Sequence, residues 1–335
     1  MRIAAAFIPL LLAAAAPATT AATTDGAQVR PVRDFVTMRD GTRLYYERYG
    51  NGPNVVIAPG ALFLADDFKR LAAPDRTLIF YDMRDRGRSD AVRDTNSISI
   101  VQDKDDLEEV RRQLGIERFS LIGYSGLSYW TALYVAEHPR RVLRFIQMGP
   151  VSPKFGTEYP KHLTADDTPP AHDPAAVEDA RKKREAKWDY ENPKAYCDLA
   201  WSINRWGLIG DPKKVDRLGP GWCHLPNEFS TKLRAHFGKL LPSVEASVLP
   251  RETLSKLDMP VLVIHGTLDR NAPYGAGRDW AMLWRNGRLL TIEGAAHHAW
   301  VEDPERVFPA VDRFLRSGEW PRDAERVTKL DPRAP

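Results

Sequence analysis

Phe119-Ser120-Leu121-Ile122-Gly123-Tyr124-Ser125-Gly126-Leu127 decides how this chain is read. A short apolar run ends in Gly-x-Ser, and a segment compatible with a helix follows at once, carrying Tyr129, Trp130, Leu133, Tyr134 and Ala136. Strand, sharp turn with a serine at its apex, then helix is the layout of a nucleophile elbow. The turn lifts the hydroxyl clear of the sheet, where a histidine can reach it. It also points the helix N-terminus and its free N–H groups at a reacting oxygen. Leu127 stands where the usual Gly-x-Ser-x-Gly has its second glycine, and the small Ser128 follows. Either the leucine finds extra room, or Ser128 takes over the contact with the strand.

A serine hydroxyl is inert at neutral pH until a base removes its proton. The C-terminal third of the chain offers the partners. Val261-Leu262-Val263-Ile264-His265 is a β-branched, apolar run that reads as a buried strand. It opens onto Gly266-Thr267-Leu268-Asp269-Arg270-Asn271-Ala272-Pro273, which places Asp269 just past the strand end. A further strand, Arg288 to Ile292, opens onto Glu293-Gly294-Ala295-Ala296-His297-His298. In an open parallel sheet, catalytic groups collect beyond the carboxyl ends of the strands. Ser125, Asp269 and His297 all fall there. His298 competes with His297, and the spacing to Glu302 and Pro304 favours His297. Asp269 is otherwise an ordinary turn residue. The stretch Gly149-Pro150-Val151-Ser152 after the preceding strand offers no acid of its own.

These spaced residues resemble the α/β-hydrolase superfamily over roughly residues 30 to 320, with the triad in the chain order Ser, Asp, His. Asp82-Met83-Arg84-Asp85-Arg86-Gly87-Arg88-Ser89 is similar to the D-x-R-G-x-G-x-S loop of that family, with Asp85 in a glycine position. Ala58-Pro59-Gly60-Ala61 occupies the oxyanion loop, with Pro59 where histidine is common. Gly294 to Pro304 is similar to the ending G-x-G-H-x-x-x-x-E-x-P, with Ala296 in place of the second glycine. Within the superfamily the chain most resembles the prolyl-iminopeptidase-like branch of serine hydrolases. The resemblance implies an α/β fold: a mostly parallel sheet with helices on both faces and an inserted, mainly helical cap. It also implies an oxyanion hole built from the backbone N–H groups of Gly126 and Ala61.

The strand–helix alternation itself points to a parallel sheet covered on both faces. Phe35 to Met38 and Arg43 to Tyr46 form a hairpin around Asp40-Gly41. Val55 to Ile57, Thr77 to Tyr81 and Leu143 to Met148 are further strands, and Asp105 to Leu114 is a helix stopped by Gly115. Between about Gly149 and Met259 the alternation breaks. Val151 to Pro174 is rich in Pro, Asp, Thr and Lys, and charged helical stretches follow with Trp188, Trp201, Trp206 and Trp222. The expected organisation is a core over 30–150 and 259–320 and a cap over 151–258. Aromatics on such a cap either wall an apolar substrate cleft or pack the cap's own small core. Trp201 and Trp206 are the candidates for the cleft.

With 335 residues the chain can bury a substantial core. The net charge of +3 is spread through the sequence, so a nucleic-acid footprint, which needs clustered basic residues, is not indicated. Arg181-Lys182-Lys183-Arg184 is balanced by Glu178 and Glu185 and reads as a solvated helix face. Arg2, the apolar stretch Ile3 to Ala16 and the Ala/Thr-rich residues after it read as an export signal over 1–24, too short to span a bilayer. The mature protein is then expected in the periplasm or outside the cell, with no membrane segment. In that oxidising setting Cys197 and Cys223 are expected to form a disulfide. Neither cysteine has metal-type spacing, and no cofactor is expected.

The leading expectation is a serine hydrolase that acts on a small molecule or short peptide through an acyl-enzyme. The resemblance points to an aminopeptidase for substrates with a small N-terminal residue such as proline. Such an enzyme needs a carboxylate to meet the substrate's ammonium, and Glu228 and Asp198 are the candidates. A carboxylesterase or lactonase needs no such anchor and stays open as the alternative. A non-catalytic binding protein would not need a complete triad. Dehalogenases and epoxide hydrolases need a carboxylate nucleophile, which Ser125 excludes.

Overall fold

The computed structural model describes residues 30–166 and 173–333. The export signal expected over 1–24 lies outside them. Eight strands form one sheet in the order β1-β2-β4-β3-β5-β6-β7-β8. They are β1 Val32–Thr37, β2 Arg43–Tyr49, β3 Asn54–Pro59, β4 Arg76–Tyr81, β5 Phe119–Tyr124, β6 Val142–Met148, β7 Val261–Gly266 and β8 Gly287–Ile292. The pairs β1/β2 and β2/β4 are antiparallel, and all pairs from β4 to β8 are parallel.

Side chains alternate across a strand, so a strand buried on both faces feeds two cores. Ile57, Ile79, Leu121, Phe145 and Val263 point to one core, where they meet helices α2 (Ile100–Gln113) and α3 (Leu127–Glu137). Their neighbours Val56, Leu78, Ile122, Ile146 and Leu262 point to the other, which is covered by α1 (Ala61–Phe68). Helix α2 begins five residues before the expected Asp105, because Ser99 caps it by accepting from the Gln102 N–H.

Between β6 and β7 the described residues carry α4 (Pro174–Glu185), α5 (Trp188–Glu191), α6 (Pro193–Asn204), α7 (Ser230–Glu245) and α8 (Arg251–Ser255). Cys197 of α6 and Cys223 are bridged by a disulfide that closes the loop before α7. After β7 come α9 (Tyr274–Leu283), α10 (Ala299–Glu302) and α11 (Pro304–Ser317). Helix α9 completes the first core through Trp280 and Ala276, and α11 completes the second through Val307, Val311 and Phe314. No described helix is long and apolar enough to cross a membrane.

Candidate active site

Ser125 sits one residue past β5 with φ of 51°, in the left-handed region that a non-glycine residue seldom occupies. The cost is met by its neighbours: the Ser125 N–H donates to Met148 O at 2.9 Å, at the end of β6. The tight strand–helix junction that the motif normally builds with glycine is made here by Gly123 and Ser128. A Cβ on Gly123 would lie 2.9 Å from the Ser128 Cα and 2.5 Å from the Thr131 hydroxyl. Ser128 is fully buried at this contact. Leu127 turns instead toward the loop after β3, where its Cδ1 would lie 2.8 Å from a Cβ on Gly60. That glycine has φ of 86°, so it is required both for its torsion and for its lack of a side chain. Ser128 therefore takes the strand contact, and the leucine finds room because position 60 is glycine.

The loops after β7 and β8 bring the partners to Ser125. His297 Nε2 lies 2.9 Å from Ser125 Oγ, and His297 Nδ1 lies 2.7 Å from Asp269 Oδ2. The other carboxylate oxygen of Asp269 accepts the N–H groups of Asn271 and Ala272, each at 2.9 Å. Burial pushes the Asp269 carboxyl up. The charge of His297 beside it, and hydrogen bonds from His265 and His297, outweigh burial and hold it well below the usual carboxylate range. An ionised Asp269 fixes the proton of His297 on Nδ1 and leaves Nε2 free to accept from the serine. Gly149, with φ of 49°, leaves space at this junction: a Cβ there would sit 3.2 Å from both Asp269 Oδ2 and His297 Nδ1.

His298 does not compete for the role. It is buried, its Nε2 pairs with the Tyr124 hydroxyl at 2.8 Å, and its ring stacks on Trp300 at 4.6 Å. Burial, and next the charge of His297, push its pKa down to about 3. Glu302 explains why the spacing to His297 matters. Its Oε2 accepts from Ala296 N at 2.6 Å and Gly210 N at 3.0 Å, and its Oε1 accepts from Asp211 N at 2.9 Å. One buried carboxylate thus holds the histidine loop and a stretch of the β6–β7 insertion together.

Gly126 and Ala61 are the first residues beyond Ser125 and Gly60, at the N-terminal ends of α3 and α1. Asp82 sets the loop that carries Ala61. Its Oδ1 accepts from Leu62 N at 2.7 Å and its Oδ2 from Arg88 N at 3.0 Å. Gly87 packs over the same carboxylate, where a Cβ would lie 2.2 Å from Oδ2. Backbone N–H groups at helix N-terminal ends are donors of the kind that can hold the oxyanion of a tetrahedral adduct.

The structure does not support Glu228 as an anchor for a substrate amine. Glu228 is fully buried, and its two oxygens meet Arg86 Nε and Nη2 at 2.9 Å each and Gly87 N at 2.7 Å. It joins the insertion to the β4 loop. Sequence gave no sign of this, because the partner is 142 residues away. Asp198 lies on the exposed side of α6, paired with Lys194 at 2.8 Å. Trp201 and Trp206 do line a common cavity, of about 920 Å³, together with Trp222, Asp173, Arg270 and Asn271. From it an aromatic series runs to the His297 loop: Trp201 to Trp222 at 4.8 Å, Trp222 to Phe63 at 5.4 Å, Phe63 to Tyr124 at 5.8 Å and Tyr124 to His297 at 5.0 Å. Phe63 was not singled out from sequence; its place two residues after Ala61 was the available signal.

Residues 55–181 match a family model described as alpha/beta hydrolase fold, and residues 241–327 match one described as TAP-like protein. The chain is 22% identical over 301 residues to a bifunctional esterase/perhydrolase of Acinetobacter calcoaceticus, covering 84% of this chain and 99% of that protein. It is 24% identical over 311 residues to a proline iminopeptidase of Xylella fastidiosa, covering 82% and 94%. An esterase from Exiguobacterium antarcticum superposes with a TM-score of 0.62 at 19% identity, covering 85% of this chain and all of that one. At that identity the structural likeness speaks to the fold alone.

Proposed function

The chain belongs to the α/β-hydrolase superfamily, and on that premise we propose that it is a serine hydrolase of esters with an apolar acyl or aryl part. The observation that carries this reading is the hydrogen-bonded series Ser125 Oγ, His297, Asp269. In it, Ser125 Oγ attacks the substrate carbonyl while His297 Nε2 takes the hydroxyl proton. The N–H groups of Gly126 and Ala61 hold the oxyanion. The C–O bond to the leaving group breaks, and His297 returns the proton to the departing oxygen. Water then attacks the acyl-serine through the same base, which releases the acid and restores Ser125.

Preference for an ester rests on the insertion, which acts as the cap. Glu228 is committed to Arg86, and Asp198 is exposed on α6 and does not line the cavity, so neither meets a substrate ammonium there. Losing the water around an unpaired ammonium is costly. Trp201, Trp206 and Trp222 supply apolar wall for which an ester group needs no ion. An aminopeptidase stays as the second reading. It is favoured by the proline iminopeptidase relative. The bridged cysteines and the apolar N-terminal stretch support an exported enzyme, periplasmic or secreted, working on a small-molecule or short-peptide substrate.

Labelling with a fluorophosphonate, lost in Ser125→Ala, tests the nucleophile. A panel of 4-nitrophenyl esters against free and N-acetylated aminoacyl arylamides tests the class. Turnover of esters with equal neglect of both arylamides is expected. Selective turnover of the free amine would move the assignment to the aminopeptidase.

A further inference from the structure

Two histidines, not one, touch the triad carboxylate. His265 is the last polar side chain of β7 and is fully buried. Its Nε2 lies 2.9 Å from Ala272 O and 3.2 Å from Asp269 Oδ2. A carbonyl oxygen only accepts, so Nε2 carries the proton, directed at Ala272 O with Asp269 Oδ2 close beside it. The other ring nitrogen, Nδ1, has no hydrogen-bond partner among the described residues. It faces Gly277 of α9, where a Cβ would lie 2.4 Å away, so the helix backbone closes over it. The Tyr274 ring stands edge-on at 6.0 Å, with its own hydroxyl taken by Thr291. The ring therefore has one tautomer and one orientation.

We infer that His265 is a positioning residue of the triad: its Nε2–H fixes the plane of the Asp269 carboxylate and takes part of the charge on Oδ2 away from His297. The inference rests on the serine-hydrolase reading above. Asp269 Oδ1 accepts from Asn271 N and Ala272 N, Oδ2 is bonded to His297 Nδ1, and His265 Nε2 lies 3.2 Å from the same Oδ2. Three hydrogen bonds thus hold the carboxylate, and His265 Nε2 is the polar group placed at its remaining side. Ala272 closes the ring: its N–H donates to Asp269 while its carbonyl accepts from His265. The carboxylate can neither rotate nor tilt without breaking one of these bonds. Leaving an imidazole nitrogen buried without a partner is a cost that packing alone does not explain. A leucine would fill the strand end without it. The cost becomes intelligible when Nε2 is needed at Asp269.

The other titratable groups that face this carboxylate are His297, and beyond it His298 and Tyr124, both buried. Removing the His265 donor leaves more negative charge on Oδ2 opposite His297, which favours the protonated form of that ring. The acid limb of kcat/KM then moves to higher pH. The carboxylate also gains freedom, so kcat falls while KM, set by the cap, does not.

The test compares His265→Leu, which removes the donor, with His265→Gln, whose side-chain amide can place an N–H near the Nε2 position. With a 4-nitrophenyl ester, His265→Leu should lower kcat on the order of tenfold or more, the size of a lost hydrogen bond to a charged group. KM should be unchanged, and the acid limb should shift up by about half a pH unit or more. His265→Gln should recover most of both. A proton NMR titration of His297 in the resting protein reads the same shift without turnover, and so works even if the wild-type chain fails to label with a fluorophosphonate. That failure would sink the hydrolase reading, while an unshifted His297 titration in His265→Leu would overturn this one. Equal loss of kcat in both variants with no shift in either profile would also overturn it, because it would show His265 to be packing only. If His265→Leu does not fold, His265→Gln and His265→Asn, which places its amide closer to the backbone, give the same contrast.

Discussion

The strand-end loops and the β6–β7 insertion are built on different principles. At the strand ends, polar atoms are held by backbone: Asp269 by two N–H groups of its own loop, Asp82 by Leu62 N and Arg88 N, Glu302 by Ala296 N. In the insertion, long side chains pair along their own helices, as Arg181 with Glu178, Lys183 with Asp179 and Lys194 with Asp198. Such exposed pairs contribute little stability each. The insertion is instead fastened to the core at a few buried points, chiefly Glu228 on Arg86 and Glu302 on Gly210 and Asp211. On the proposed function, reaction geometry belongs to the strand-end loops and recognition to an insertion tied to them at those few points.

That division can be broken from either side. The largest effect is expected at the strand ends: Ser125→Ala should lower kcat by about a thousandfold or more with little change in melting temperature. Unchanged turnover would remove the proposed nucleophile. Glu228→Gln should do the opposite. It strands Arg86 beside a neutral amide, and breaking a buried pair costs about 3 kcal/mol or more. Denaturant unfolding should show that loss. KM should rise alike for esters and for arylamides with free or blocked amines; a rise confined to free amines would restore Glu228 as an anchor. Cys223→Ser should cost about 3 kcal/mol, since the bridge closes a loop of 26 residues. Thiol titration of the native wild-type protein should find no free cysteine, and two free thiols would remove the bridge from the account.

Trp222→Ala should reduce kcat/KM about tenfold for long-chain esters and much less for acetate, through KM, because it removes apolar wall far from the reacting atoms. Equal losses for both would mean that Trp222 packs the insertion and binds nothing. The smallest effect concerns His298. Its folded-state pKa of about 3 lies below the unfolded value of 6.5, so the unfolded chain takes up the proton first. Its contribution is full above about pH 6.5 and is lost as pH falls toward 3. Asp82, pushed up to about 6 mainly by burial, acts in the opposite sense, so the wild-type profile mixes the two. His298→Gln isolates the term. Relative to wild type it should gain at most about 1.4 kcal/mol per pH unit as the solution is acidified from 6 to 4, measured by urea unfolding. A constant difference between the two proteins would show that His298 is not buried neutral.

The two regions also differed in how far sequence could see. Each strand and the residues at its end are local: an apolar run followed by Gly-x-Ser, or by Gly-x-x-Asp, carries its own meaning. Ser125, Asp269 and His297 could be placed beyond their strand ends for that reason, and so could the hairpin and the break in alternation after Gly149. Glu228 could not be read correctly, because a lone acid beside a cysteine says nothing of an arginine on another loop. His265 was legible only as the end of a strand, though a polar residue closing Val-Leu-Val-Ile was a sign worth following. The substitution of Leu127 for glycine became intelligible only with Gly60 in view, from a loop more than sixty residues earlier.

The left-handed backbone at Ser125 limits what this site can become. Threonine has a hydroxyl like that of serine, but its branched Cβ is a poor fit to a positive φ. Cysteine branches no more than serine does. If Ser125 is the nucleophile proposed above, the elbow selects it by shape before chemistry: a thiol enzyme is one backbone-neutral substitution away, and a threonine enzyme is closed off by the turn itself.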